Sequence, residues 1–167
     1  EVIAGAEVVL VNKLRLTREI IERTPALRLI ALAATGTNNI DLKAASERGV
    51  VVFNEPFSNT RSVAELVIGH AIHLLRRIPE RHAAARRGQW LKDSRGSNEI
   101  RGKTLGIIGY GKIGMQTGLL AEAIGMRVVY HDIEARLPLG NATPATTLTA
   151  LLQEADVVTL ALAGAAL

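Results

Sequence analysis

Short apolar runs alternate along the chain with stretches whose apolar residues recur at helical spacing, and this pattern predicts an α/β fold. AEVVLV (6 to 11) reads as a buried strand, and Thr17 is placed to cap a short helix, REIIERTPAL, that Pro25 should disturb near its end. LRLIALAA (27 to 34) reads as the next strand. The loop TGTNN leads to Asp41, a good cap for LKAASER, and Gly49 should end that helix before the strand VVVFN (50 to 54). These elements predict one small sheet with its helices.

After EPFSNT comes a long amphipathic pattern, RSVAELVIGHAIHLLRRI, in which Val63, Leu66, Val67, Ala71, Leu74 and Leu75 line a helical face. Pro79 is expected to interrupt it, with a second helical stretch running to about Arg87. LKDSRGSNEIRG is polar and turn-rich and reads as a surface connection. A second α/β pattern follows: strand KTLGIIG, helix KIGMQTGLLAEAIG, strand MRVVYHD, a turn-rich piece RLPLGNATPAT, helix LTALLQEA and strand DVVTLAL. The expected division is into residues 1–58 and 59–167.

The stretch LGIIGYGKIGMQTGLL carries Gly109, Gly111 and Gly114 as G-x-G-x-x-G, directly after an apolar strand and at the opening of a helix. That context favours a dinucleotide-binding turn. Gly109 allows the tight turn, Gly111 lacks the Cβ that would strike a pyrophosphate, and Gly114 lets the helix pack close to the strand. The amides of Lys112, Ile113 and Gly114 then face the phosphates with the positive end of the helix dipole behind them. Asp132 ends the next strand, where its carboxylate can accept from both adenosine ribose hydroxyls and would repel a 2′-phosphate. Arg136, four residues later, could in principle hold a 2′-phosphate, but it sits beyond the expected position and the carboxylate comes first, so NAD is expected over NADP. Tyr110, inside the turn, joins the cofactor-binding candidates.

Composition narrows the function classes. With 167 residues, 48% hydrophobic and 22% charged, the chain can bury one full core or two partial ones. No apolar run approaches the roughly 20 residues that cross a bilayer, and EVIAGAEVVLV lacks the basic start of a signal peptide. A cytoplasmic location and no membrane partner are expected. The lack of cysteine excludes disulfides, a thiolate nucleophile and a Cys-type zinc site. The net charge of +4 gathers around RRIPERHAAARRGQW, yet a chain that is 3% aromatic offers only Trp90 nearby as a stacking platform. A solvated helix face is expected there, and no nucleic-acid partner.

His70 and His73 lie close on the long helix without a third ligand at matched spacing, so no metal site is expected. His82 sits among arginines, and His131 is placed to cover the adenosine edge. None is positioned as a catalytic base. The chain begins at Glu1, and a fragment is expected.

Several stretches together resemble the D-2-hydroxyacid dehydrogenases: FNEPFSNTRSVAELVIG, RRIPERHAAARRGQW, IRGKTLGIIGYGKIGMQTG and DIEARLPLGNAT, with LPLGNA the most specific. The resemblance is greatest to the branch that acts on phosphoglycerate. It implies an incomplete Rossmann-type nucleotide-binding domain after an incomplete, flavodoxin-like α/β substrate lobe. It also implies NAD as cofactor, a small 2-hydroxy acid substrate and a homo-oligomer, dimer or tetramer, formed through the nucleotide-binding domains. The loop matching ATGTNNID makes Thr35, Gly36 and Thr37 substrate-side candidates through their backbone amides. At the end of the first strand, however, Val11, Asn12 and Lys13 stand where the phosphoglycerate branch carries an arginine. LVNKLRLT and LIALAATGTNNIDL look more like the hydroxypyruvate and glycerate reductases.

The family's catalytic histidine, glutamate and arginine lie beyond the strand matching DVVTL, the arginine in an S-R-G turn and the histidine in a late P-H motif. Here DVVTL runs into ALAGAAL, similar to a segment that normally comes after the arginine. An absent internal segment and a short C-terminus are expected, and with them no turnover by the chain as written. Two function classes stay open, an NAD-dependent dehydrogenase in incomplete copy and a module that only holds or senses NAD.

Overall fold

The computed structural model describes residues 3–162 and divides them into two units, one running to Asn59 and the other from Thr60 to Leu162. In the first, β1 (Val8–Val11), β2 (Leu29–Leu32) and β3 (Val51–Asn54) pair in parallel in chain order, with Val9 opposite Ile30 and Ile30 opposite Val52. Parallel neighbours need a crossover, and α1 (Arg18–Glu22) and α2 (Leu42–Glu47) supply it. Their Ile21, Ala44 and Ala45 join Val9, Val11, Ile30, Leu32 and Val50 in one buried core. Strand alternation sends Val8, Leu10, Val51 and Phe53 to the opposite face, where they are exposed.

The capping expectations divide. Asp41 Oδ1 accepts the Ala44 amide at 2.8 Å and starts α2. Thr17 occupies the cap position of α1, but its hydroxyl makes no cap bond. That helix stops at Glu22, well before Pro25, and its open carbonyls are met from outside: Arg48 donates to the Ile21 and Glu22 carbonyls at 2.7 and 2.8 Å.

The second unit begins with α3 (Thr60–Leu75) and α4 (Ile78–Arg86). It continues through β4 (Thr104–Ile108), α5 (Lys112–Ala123), β5 (Arg127–His131), β6 (Thr143–Pro144), α6 (Leu148–Glu154) and β7 (Val157–Leu160). All four strands are parallel in the order β6-β5-β4-β7. Counted from β4 this is the 3-2-1-4 half of a doubly wound sheet, and the direction of winding reverses between β4 and β7. Asp156, just before β7, accepts from the Thr104 amide at 2.8 Å and Lys103 Nζ at 3.0 Å, tying the amino ends of β4 and β7 together. Those donors, the amide first, hold its carboxyl below the ordinary value.

Three expectations are corrected here. The long helix does not break at Pro79: α3 ends at Leu75, Arg77 takes a left-handed φ of 54°, and α4 starts at Ile78 with Pro79 in its first turn. A proline has no amide to lose at that position, so it starts a helix instead of interrupting one. The buried stripe of α3 is also rotated. Ala64 and Ala71 are buried and Ile68 packs against the second core, whereas Leu66 and Leu74 are exposed. Helix α3 packs along α5, whose buried positions are Gly114, Thr117, Gly118 and Ala121, so small residues on both helices set a close approach. Finally, the turn-rich RLPLGNATPAT contains β6, a two-residue strand at the sheet edge where Pro144 leaves no interior ladder bond unmade.

The close packing of α6 on β4 depends on Gly106, since a Cβ there would lie 2.7 Å from Leu151 Cδ2 and 2.8 Å from Ala155 Cβ. Gly106→Val is expected to destabilise the second unit by about 1–3 kcal/mol through overpacking. Urea unfolding measures it, and an unchanged midpoint would contradict this packing.

Candidate functional site

Strand β4 delivers Gly109 to the carboxyl edge of the sheet, beside the reversal between β4 and β7. Gly109 has φ of 92°, its amide donates to the His131 carbonyl at 2.8 Å, and a Cβ would stand 2.8 Å from the Ala161 carbonyl oxygen. Both the backbone angle and the crowding require glycine. Gly111 caps α5 and has open space where a Cβ would project, with no atom within 4 Å. Gly114 is the reverse case, because a Cβ there would collide with the Gly109 carbonyl. One glycine makes the turn, one keeps a ledge clear and one lets helix meet strand.

Helix α5 makes its first intrahelical bond from the Met115 amide to the Gly111 carbonyl at 2.9 Å. The amides before it, through Lys112, Ile113 and Gly114, belong to the helix's amino end, where the peptide dipoles leave partial positive charge. The clear ledge at Gly111 lies at that end. The arrangement suits an anion that must come close to the backbone, as a phosphate group does.

Asp132 follows β5 with its side chain 11% exposed. Its Oδ2 accepts the Tyr110 amide at 2.6 Å and its Oδ1 the Glu134 amide at 3.0 Å. Burial alone would push this carboxyl up, but those amides, with Ile133 and the nearby Arg136 guanidinium, outweigh it and hold the group below its ordinary value. The carboxylate is thus an anion at neutral pH that staples the tip of β5 to the glycine turn, and its remaining lone pairs can still accept hydroxyls. Sequence reasoning found the acid and missed the staple.

Tyr110 turns inward. Its ring is fully buried and stacked on Tyr130 with centroids 3.8 Å apart. Burial raises its hydroxyl above the ordinary value, opposed by the Leu139 amide, which donates to it at 3.4 Å. Tyr130 in turn donates to the Arg136 carbonyl at 2.7 Å. The LPLGNA segment is therefore clasped to the turn, and Glu122 on α5 holds its far end by accepting the Asn141 amide at 2.9 Å. Gly140, with φ of 60°, passes so close to that carboxylate that a side chain would overlap it. Two tyrosines, one in the glycine motif and one two residues before the acid, were the available signal for this clasp.

In the first unit, Thr35, Gly36 and Thr37 follow β2 in a loop tied by its flanks. Thr35 donates its hydroxyl to Asn59 Oδ1 at 3.0 Å and its carbonyl accepts from Asn54 Nδ2 at 2.8 Å, while the Thr37 carbonyl accepts the Ile40 amide at 2.9 Å. Gly36 is exposed, with nothing within 4 Å of a Cβ. His70 and His73 meet edge to face at 6.5 Å on α3, and among the described residues no three of His, Cys, Asp and Glu gather as metal ligands. His131 sets Nδ1 3.4 Å from the Ala145 carbonyl. No helix among the described residues is long and apolar enough to cross a membrane. Most of the tail compared above with a later family segment, from Ala163 on, lies outside the described residues.

Residues 1–165 match the family model described as D-isomer specific 2-hydroxyacid dehydrogenase, catalytic domain. The chain is 55% identical over 149 residues to the D-3-phosphoglycerate dehydrogenase of Escherichia coli K12 and 52% identical to that of Haemophilus influenzae, covering 89% of this chain in each case. It spans 36% of the length of either relative. Among solved structures, the TT0316 protein of Thermus thermophilus is similar with a TM-score of 0.83 at 36% identity, over 95% of this chain and 51% of that one. The D-lactate dehydrogenase of Aquifex aeolicus, complexed with NAD and lactic acid, is similar with a TM-score of 0.83 at 28% identity, over 95% of this chain and 48% of that one.

A carboxyl held below its ordinary 3.8 stabilises the fold fully above that pH, and the contribution fades as pH falls through the depressed folded-state value. Asp132→Asn should accordingly melt at lower temperature than the parent at neutral pH, and the difference should close in acid. Parallel melting curves from neutral pH downward measure this, and a gap that persists at the acid end would show that the carboxylate's charge is not what holds the turn.

Proposed function

The chain belongs to the D-isomer specific 2-hydroxyacid dehydrogenase family, and from that premise we propose that it is the cofactor-holding part of an NAD-dependent dehydrogenase of 3-phosphoglycerate, a step in serine biosynthesis. The observation that carries the reading is the clear ledge at Gly111, set at the amino end of α5 and beside a carboxylate at the tip of β5. In this reading the second unit is the nucleotide-binding domain and the first the substrate lobe. The names of the relatives at 52% and 55% identity support phosphoglycerate as substrate. The Aquifex dehydrogenase complexed with NAD supports a nicotinamide cofactor.

A nicotinamide dinucleotide, once bound, supplies the hydride acceptor. The chain's own residues bind and orient. Amides of Lys112, Ile113 and Gly114 meet the pyrophosphate, and Asp132 accepts from the adenosine ribose hydroxyls and disfavours a 2′-phosphate. Thr35, Gly36 and Thr37 offer amides to the substrate carboxylate. In line with the family resemblance, the protein acts as a cytoplasmic homo-oligomer, dimer or tetramer. No histidine of the chain is placed by its sequence as the proton-accepting base that the family resemblance implies, and in this reading the chain as written binds cofactor without turnover. One observation favours hydroxypyruvate or glycerate reduction instead: β1 ends at Val11, and Asn12 and Lys13 follow with no arginine for a substrate phosphate.

Fluorescence titration with NADH tests the site on the parent chain and on Gly111→Val. The parent is expected to bind and the variant to lose binding by steric exclusion, with far-ultraviolet circular dichroism unchanged. Equal binding would reduce the glycine loop to a turn. In the same preparations, NADH absorbance with 3-phosphoglycerate or glycerate, and in reverse with hydroxypyruvate, should show no turnover, because general-base assistance worth about 10²–10⁴ in rate is missing. Turnover above the variant would place a catalytic base within the chain.

A further inference from the structure

Asp132 is not the only acid at the tip of β5. The chain alternates Asp132, Glu134 and Arg136 through a short turn whose backbone is fixed at both ends. The Glu134 amide donates to Asp132 Oδ1 at 3.0 Å, and the Arg136 carbonyl accepts from the buried Tyr130 hydroxyl at 2.7 Å. Arg136 therefore cannot drift from the site by backbone motion without breaking the tyrosine clasp. Its guanidinium lies between two carboxylates, with Nη2 2.5 Å from Glu134 Oε2 and Nε 3.8 Å from Asp132 Oδ2.

We propose that Glu134 is a specificity-determining residue that acts through Arg136: by occupying the guanidinium, it withholds from a 2′-phosphate the cation that would otherwise receive it. The inference rests on the assignment of Asp132 to the adenosine ribose. Arg136, expected from the sequence to sit beyond this position, is folded back by the turn to 3.8 Å from Asp132, so a phosphate on the 2′-hydroxyl would stand within reach of its planar fork, which is suited to a bidentate phosphate contact. With Glu134 present, the guanidinium is flanked by two negative charges and the phosphate adds more. Without that charge, the guanidinium loses its nearer partner and keeps only the more distant Asp132, so the local sum of charges rises from negative to neutral and the fork can turn to the phosphate.

Asp132 cannot serve as the adjustable element. Both of its oxygens hold backbone amides, one of them in the glycine turn, so replacing it would disturb the site for either cofactor. Glu134 has no such burden: its side chain is 65% exposed, and Glu134→Gln keeps its length and shape.

Titration of NADH and NADPH against the chain, Glu134→Gln and the double variant Glu134→Gln/Arg136→Gln separates the possibilities. The parent should favour NADH. Glu134→Gln should leave NADH affinity within about twofold and tighten NADPH about tenfold, the worth of one charge-assisted phosphate contact. The gain should shrink at high salt, since the pair is solvent-exposed. The double variant should lose it. A merely structural role would move both cofactors together. If the parent binds NADH but Glu134→Gln leaves the NADPH-to-NADH ratio unchanged, or if the double variant keeps the gain, this inference fails and the nucleotide site stands. If the parent binds neither cofactor, the site assignment and this inference fail together.

Discussion

One partly buried carboxylate, Asp132, receives the amide of Tyr110 from the glycine turn and the amide of Glu134 from its own loop, and the arrangement of the candidate site follows from that pair of bonds. A glycine-rich turn is intrinsically loose because its residues carry the largest backbone entropy. Here the looseness is removed from two sides. The Gly109 amide is bound to the carbonyl of His131 and the Tyr110 amide to the next residue's side chain, so the tips of β4 and β5 are held in register by the atoms that shape the site. In the proposed reading the same charge meets the adenosine ribose, which would couple site geometry to cofactor choice.

Around the staple, small residues permit close approach and aromatic residues fill the space that remains. Gly114 admits α5 against the Gly109 carbonyl, and Gly106 admits α6 against β4. The stacked Tyr110 and Tyr130 then carry the contact outward to the LPLGNA segment, whose Gly140 and Asn141 meet Glu122. That segment, the most specific point of family resemblance, serves in this structure as a clasp that keeps the acid-bearing loop against the helix. Its conspicuous sequence is accounted for by packing.

Much of this was legible in the sequence. The strand, glycine turn, helix and acid could be placed because each depends on short-range chemistry: backbone angle, missing Cβ and strand periodicity. Asp41 likewise caps α2 as its position suggests. Features decided by tertiary partners were not legible. Pro79 reads as a breaker until the left-handed Arg77 shows where α3 has already ended. The buried face of α3 is set by Ala64 and Ala71 and not by its larger leucines, because α5 offers small residues to pack against. The sequence places Tyr110 in the turn but does not show that its ring turns inward onto a partner twenty residues away. The short β6 forms only because β5 presents an edge beside it.

The chain spans 36% of the length of its phosphoglycerate-dehydrogenase relatives, and what it carries in full is the turn, the helix start and the acid. The central claim is that the backbone amides at the amino end of α5 are the anion-receiving group. An amide nitrogen–proton correlation spectrum recorded during titration with NADH tests that directly. The largest shifts should fall on Gly111, Lys112, Ile113 and Gly114, with a smaller one on Tyr110, whose amide is already bound to Asp132. Shifts concentrated on the arginines of α4, with Gly111 to Gly114 unmoved, would contradict the account.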